Sequence, residues 1–504
     1  MRRIAYRSCV SAIALGAITG AAYAQVTAEQ VWENWRGFSS GMNQTVTTGA
    51  ETRSGDRLTI TDAVFTVSDP EVEITSRFGQ MFFRERGDGT VEITMSPSFI
   101  LTVDSTEIAE DDVAIGMTFR QDGLQIIARD DDAGLRYDVA ANSIAMAIDR
   151  FEAEDDDTVI QGGAMIGDVT GTYLVGDPGT DRFQSSFEAA RITFDIQAES
   201  ARNRSRVSVN AALTDASGDS NARLLSALVE DAETLNGLPE GFELKAGYRI
   251  GSGSYKLDFS GPDGSAATII DSGETTLDLR FDTQTLRYDV TGGPTSIRVS
   301  GSAVPVPEAT MSLAGSKIGF TLPVGQGDGP QDVSVVARLE KLEFGDDLWS
   351  LFDPAKVLPR DPATLIVDLA GTARWLVDPF NPAAMAAFKG GLPAEIYQLD
   401  LENLKLSALG AEVTGTGGFT FDNTDLLSYD GVPKPVGEVN LTIDGANQLI
   451  DRLVGLGMLP QSKAMNARMM LGLFARPGDS PDALTSKIEM RPDGTVHAND
   501  QRLK

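Results

Sequence analysis

From Leu58 onward the chain alternates. Val91, Ile93, Met95, Phe99, Leu101 and Val103 share one frame, with Glu92, Thr94, Ser96, Ser98 and Thr102 between them. Successive side chains of a strand point to opposite faces, so this spacing predicts β-structure with one apolar face and one wetter face. Pro97 cannot donate to a ladder, so a bulge or an edge is expected there. Just upstream, Gly87-Asp88-Gly89 is a hairpin turn signal. The alternation returns at Phe242, Leu244, Ala246, Tyr248 and Ile250. It recurs at Leu277, Leu279 and Phe281, at Ile318, Phe320, Leu322 and Val324, and at Val439, Leu441 and Ile443. Turn residues separate these runs, which is the pattern of antiparallel strands and not of a buried parallel sheet.

Helical spacing is confined to a few places. Val31, Trp35 and Phe38 fall on one face of a helix expected over 26–38, and Thr27 with Gln30 fits a capping box at its start. Further helices are expected at Asn221–Leu235 and Ala446–Met458. Another should follow Pro460, whose missing amide suits a first turn, and end at Arg476-Pro477-Gly478. A terminal hairpin is expected around Pro492-Asp493-Gly494. The pattern as a whole predicts a mainly β fold, a β-rich α+β chain. Large curved antiparallel sheets would form a groove, clamshell or sandwich, with a few peripheral helices and a C-terminal helical pair.

One pentapeptide, LRYDV, occurs at Leu135–Val139 and again at Leu286–Val290, with Arg129 and Arg280 matched upstream. Downstream, with short gaps, Ile144 corresponds to Ile297, Tyr173-Leu174-Val175-Gly176 to Leu322-Pro323-Val324-Gly325, and Ala190-Arg191-Ile192 to Ala337-Arg338-Leu339. Self-similarity of this kind is what a duplicated structural unit leaves. The repeated units would cover 121–200 and 272–347. Chance and a pair of functional sites are the competing readings. The expected organisation is a leader over 1–24, a β-rich domain over 25–215, a second over 216–430, and a C-terminal strand, helical pair and hairpin over 431–504.

Composition narrows the setting. Arg2, Arg3 and Arg7 precede a mostly apolar Val10–Ala22, and Ala22-Tyr23-Ala24 offers a cut before Gln25, so a cleavable export signal and a periplasmic protein are expected. The apolar stretch is too short for a comfortable span. The single cysteine, Cys9, lies in that leader without a lipobox, so the mature chain is cysteine-free and has no disulfides. The net charge is −31, with 73 acidic residues against 42 basic. That balance argues against nucleic acid, whose phosphates need Lys and Arg, and against adsorption to anionic lipid.

Chemistry is hard to place. The chain has one histidine, His497, and no Ser-x-x-Lys or Gly-Lys signature, and its Gly-x-Ser-x-Gly spacing at Gly37–Gly41 follows a helical run and not the strand that a nucleophile elbow needs, which removes most triads, zinc motifs and phosphate loops. Gly415-Thr416-Gly417-Gly418 lies between strand-like runs and reads as a turn. Asp130, Asp131 and Asp132, and Asp155, Asp156 and Asp157 beside Glu154, are oxygen-rich enough to consider for calcium, though neither run fits an EF-hand. Solvated turns are the plainer reading. No catalytic residue and no cofactor is expected.

Three stretches carry a resemblance: VTAEQVWENWRGF, LWSLFDPAKVLPRDPATLIVDLAGT, and VNLTIDGANQLIDRLVGLGMLPQSKAMNARMMLGLFARPGD. Together they resemble an uncharacterised alphaproteobacterial envelope family catalogued as domain of unknown function 2125, over essentially the whole mature chain. The resemblance implies an exported, β-rich envelope protein without assigned catalytic residues. A looser, fold-level similarity links it to AsmA-like envelope proteins, whose sheets curl into lipid-holding grooves. A non-enzymatic binding or structural module, holding lipid or another apolar ligand or other envelope components, is therefore expected. The alternatives are a periplasmic hydrolase using an Asp/Glu pair and an outer-membrane barrel, the latter disfavoured by 7% aromatic content.

Overall fold

The structure is a computed structural model. It describes residues 26–41, 43–68, 72–108, 111–153, 157–176, 182–223, 238–327, 329–389 and 392–504. The leader and residues 224–237 lie outside these.

Helix α1 (Ala28–Gly41) opens the described chain. Its capping box forms: Thr27 N donates to Gln30 Oε1 at 2.9 Å and Gln30 N to Thr27 Oγ1 at 3.2 Å. The chain then builds one antiparallel sheet of 29 strands. Its first edge is β1 (Gln44–Thr47) and β2 (Ala50–Ser54), both on β3 (Arg57–Ser68). Next come β4 (Val72–Glu85), β5 (Val91–Met95) and β6 (Ser98–Ile108), then β7 (Asp111–Asp122) and β8 (Gln125–Asp131). Pro97 follows β5, where its missing amide breaks the ladder, and β5 and β6 lie end to end along β4.

Four long strands follow: β9 (Gly134–Ala153), β10 (Thr158–Gly176), β11 (Arg182–Ser200) and β12 (Ser205–Arg223). Beyond them each long strand is split in two. The halves are β13 (Glu243–Ile250) and β14 (Ser252–Gly261), β15 (Gly264–Ser272) and β16 (Thr275–Asp282), β17 (Thr285–Gly292) and β18 (Thr295–Ser300), and β19 (Glu308–Leu313) and β20 (Gly315–Pro323). After β21 (Gln331–Phe344) come α2 (Asp346–Ser350), β22 (Ala363–Trp375), α3 (Pro382–Ala387), β23 (Ala394–Ala408), β24 (Ala411–Asp422) and β25 (Lys434–Asp444). Helices α4 (Ala446–Gly455) and α5 (Gln461–Phe474) precede β26 (Arg476–Pro477), β27 (Ala483–Met490), β28 (Val496–Ala498) and β29 (Gln501–Arg502).

The splits line up. Asn142 of β9 faces Asp168 of β10, between the pairs Ser143–Gly167 and Ala141–Val169. Asp168 in turn faces Ala190, and Ala190 faces Asp215. The line continues through Gly251, Gly273-Glu274, Gly293-Pro294 and Ala314 to Lys341. On the other side it runs through Gly123, Pro97 and Gly79 to Asp62. A single crease therefore crosses the sheet, bending every strand it meets. Asp62, Asp168, Asp215 and Lys341 hold left-handed φ there, a conformation that Asp tolerates better than most residues.

Two sequence expectations are corrected. The helix expected from Asn221 does not begin there: Asn221, Ala222 and Arg223 end β12, paired with Lys245, Leu244 and Glu243, because Ala222 continues the inward alternation of that strand, and the remainder of that expected helix, 224–235, lies outside the described residues. The helix at Ala446 stops at Gly455, since Gly457 turns left-handed at φ 72°. The expected boundary at 215–216 falls inside β12, and the ladder from β24 to β25 spans the one at 430–431. The copies of LRYDV sit alike, in β9 and β17, with Arg136 opposite Arg129 and Arg287 opposite Arg280. Downstream the register differs from the sequence match. Tyr137 faces Tyr173 and Tyr288 faces Phe320, so Tyr173 is level with Phe320, two residues from the expected Leu322. The crease likewise sets Ala190 level with Lys341, and Ile297 lies on the separate strand β18.

Candidate apolar groove

Paired residues of an antiparallel sheet lie on the same face, so the register defines both faces. One row runs Phe83, Ile93, Ile126, Val139, Gly171, Phe187, Gly218, Tyr248 and Leu277. It continues through Val290, Ile318, Ala337, Val367, Leu404, Gly415 and Leu441 to Ser486 of β27. Nothing in it is charged, and only the last residue and the tyrosine hydroxyl are polar. At roughly 4.8 Å per strand it is about 75 Å long. Beyond the crease a second apolar row passes through Phe78, Phe99, Phe119, Met146, Ala164, Phe194, Ala211, Tyr255, Ile270, Ile297, Met311 and Phe344.

The opposite face is polar. One residue over from the first row stand Arg84, Glu92, Asp138, Thr172, Ser186, Asp219, Asp278, Asp289 and Asp368. Several of these charges are matched locally. Arg129 reaches Asp138 at 3.0 Å, Arg287 reaches Asp289 at 2.6 Å, and Arg338 meets Asp368 at 2.9 Å. Partial burial pushes the Asp289 carboxyl up, but Arg287 and Lys317 outweigh it and hold it below the usual range. A shallow hollow of about 770 Å³ on this face is lined by Asp138, Glu188, Asp219, Arg249 and Asp278, of which Asp138 pairs with Arg129 and Arg249 with Glu274.

Helix α1 covers only the first end of the apolar face. Val31 and Trp32 are fully buried against Ile60, Phe83, Val91 and Ile93. Trp32 Nε1 donates to Glu51 Oε1 at 3.1 Å, and the Tyr137 hydroxyl donates to Asn34 Oδ1 at 2.7 Å. Arg53 bridges Glu29 and Glu85, and its guanidinium holds the Glu85 carboxyl below the usual range. Burial pushes the stacked Tyr137 and Tyr173 hydroxyls up, so both stay neutral. Beside the helix the face encloses a hollow of about 720 Å³, lined by Phe38, Phe65, Phe78, Phe99, Tyr173, Phe183 and Phe187. Its size falls within the usual range for small-molecule sites.

Past β12, α1 no longer reaches the face. Between residues 243 and 323 only Val306 is a buried hydrophobic among the described residues. Tyr248, Leu257, Phe259 and Val335 of the apolar face are exposed, and Ile318 is 63% exposed.

The carboxylates considered for calcium do not converge. Asp131 pairs with Arg136 at 3.0 Å and accepts from Ala133 N, while Asp130 and Asp132 stand exposed at the same turn. Asp157 accepts from Ser200 Oγ and Arg202 N. Asp155 and Asp156 lie outside the described residues, and among the described residues no group of three potential ligands forms. His497 sits in β28, its Nε2 3.0 Å from Thr495 Oγ1. Gly415–Gly418 is not a turn but the middle of β24, where Gly415 and Gly417 let neighbouring strands approach. The motif at Leu348–Arg360 builds a corner: Asp353, buried, accepts from Val357 N at 2.8 Å and Leu358 N at 2.9 Å, and Arg360 lies over Trp349.

Residues 257–499 match the model of an uncharacterised protein family conserved in bacteria, domain of unknown function 2125. The match spans just under half of the chain. The match covers the corner motif and the C-terminal helical pair; α1, which carried part of the resemblance, lies before it. No curated protein and no solved structure matches the chain.

Proposed function

We propose that this is a non-enzymatic envelope protein, working in the periplasm, that holds lipid or another apolar ligand along its apolar face. The observation that carries the reading is the uncovered row from Phe187 to Leu441. Water against so much apolar surface is costly, at about 25 cal/mol per Å², and among the described residues no second sheet covers it. Each acyl methylene laid on the row is worth about 0.8 kcal/mol. The paired charges opposite keep the other face wetted, so occupancy is one-sided. The hollow beside α1 suits the end of a chain.

The test is gentle purification of the exported protein, followed by native mass spectrometry and lipid extraction. Bound phospholipid or fatty acid in stoichiometric amount is the expected result. A folded protein that carries no lipid and takes up no fluorescent acyl probe would end the proposal.

A further inference from the structure

Helix α5 stands out in two respects. From Arg452 to Gly478 the sequence contains Arg452, Lys463, Arg468 and Arg476 and not one Asp or Glu, in a chain whose net charge is −31. Apolar residues also occur around the whole of α5: Ala464 and Leu471 as well as Met465, Met469, Met470 and Leu473. A helix apolar on all sides is ordinarily buried. Here only Ala464 is buried, while Met465 and Met469 are 66% and 64% exposed, with Met458 exposed nearby.

The helix is held firmly in that position. Its last carbonyl, Phe474 O, accepts from Ser486 Oγ at 2.7 Å and Asn499 Nδ2 at 2.9 Å. Ser486 is the final residue of the long apolar row, so α5 is fixed where that row ends. Arg468 is matched by Asp451 and Arg476 by Asp500. Lys463 has no carboxylate within 4.0 Å among the described residues.

We propose that α5 docks on the surface of an anionic phospholipid bilayer, with Met465, Met469 and Leu473 entering the headgroup boundary and Lys463 facing lipid phosphates. A helix with exposed methionines, one unmatched lysine and no acidic residue of its own fits that surface. A negative membrane repels the chain as a whole, and repulsion elsewhere turns this end towards it. Methionine side chains adapt to irregular acyl packing. The docking stands whether or not the groove holds lipid.

The experiment is co-sedimentation of the mature protein with vesicles of phosphatidylglycerol and phosphatidylethanolamine, and with phosphatidylcholine alone. Binding to the anionic vesicles that weakens with salt is expected. Met465→Asp with Met469→Asp should reduce it more than tenfold, and Lys463→Glu about fivefold. Both variants change exposed positions, so circular dichroism and acyl-probe uptake should match the parent. The proposal is overturned if the parent stays in the supernatant, if neutral vesicles bind it equally, or if the variants bind as well as the parent. It is equally overturned if the methionine variant converts a dimer to a monomer without any vesicle binding, since a second copy would then cover the helix.

Discussion

Asp62, Asp168, Asp215 and Lys341 hold φ of 49°, 52°, 52° and 53° in the middle of strands. Left-handed backbone costs an ordinary residue about 1–2 kcal/mol, and a β-branched one clashes most. Asp215→Val should therefore destabilise the protein by about 1–2 kcal/mol, while Asp215→Gly stays within about 0.5 kcal/mol of the parent. Thermal unfolding of the two variants checks this, and equal melting temperatures would show that the bend does not depend on this residue. Nothing in the sequence marked these positions. An isolated aspartate among polar outward residues reads as solvent-facing, and its left-handed role is visible only when the partner strands show their bends beside it.

At the scale of elements, α1 was legible because its signals are local. The capping box and the spacing of Val31 and Trp35 need no distant partner, and both sit in the helix as expected. Trp32 is the anchor, 1% exposed between Phe65 and Phe83. Trp32→Ala should cost about 3–5 kcal/mol, measured by denaturant unfolding. The long strands were legible only in pieces. In β10 the inward residues are Val175, Tyr173 and Val169 on one side of Asp168, then Ile166 and Ala164 on the other, so the frame inverts and a period-2 reading stops there. Strands β5 and β6 kept one frame because their break inserts Ser96 and Pro97 without inverting it. The loop between β24 and β25 is tied by Asp425, which accepts from Ser428 N and Oγ and pairs with Lys434 at 3.1 Å. These donors lower its carboxyl from 3.8 to about 2. Because the folded value lies below the ordinary one, the anchor is complete above 3.8 and is lost as pH falls through about 2. An NMR titration should find that midpoint, and Lys434→Ala should move it upward; a midpoint near 3.8 in the parent would refute the anchoring.

For the whole molecule, what matters is the difference between the two faces. The sequence alternation implied one apolar side but left open whether a second sheet covered it. The register answers this: one sheet continues from β3 to β27, and long-range pairing of this kind has no local signature. Ile318 lies on the open row and is largely exposed, so Ile318→Glu should leave stability within about 0.5 kcal/mol. The same change places a carboxylate where acyl chain would lie and should lower acyl-probe affinity about tenfold or more. Unchanged affinity would move the ligand off this row.

Each strand gives the long row a single residue, so the reach of the protein is counted in strands, like rungs on a ladder. Inserting one hairpin lengthens the track by about 10 Å and leaves its width alone. The twin LRYDV strands stand six rungs apart on that track, each with its arginine facing an arginine of the neighbouring strand, so their places on it are equivalent.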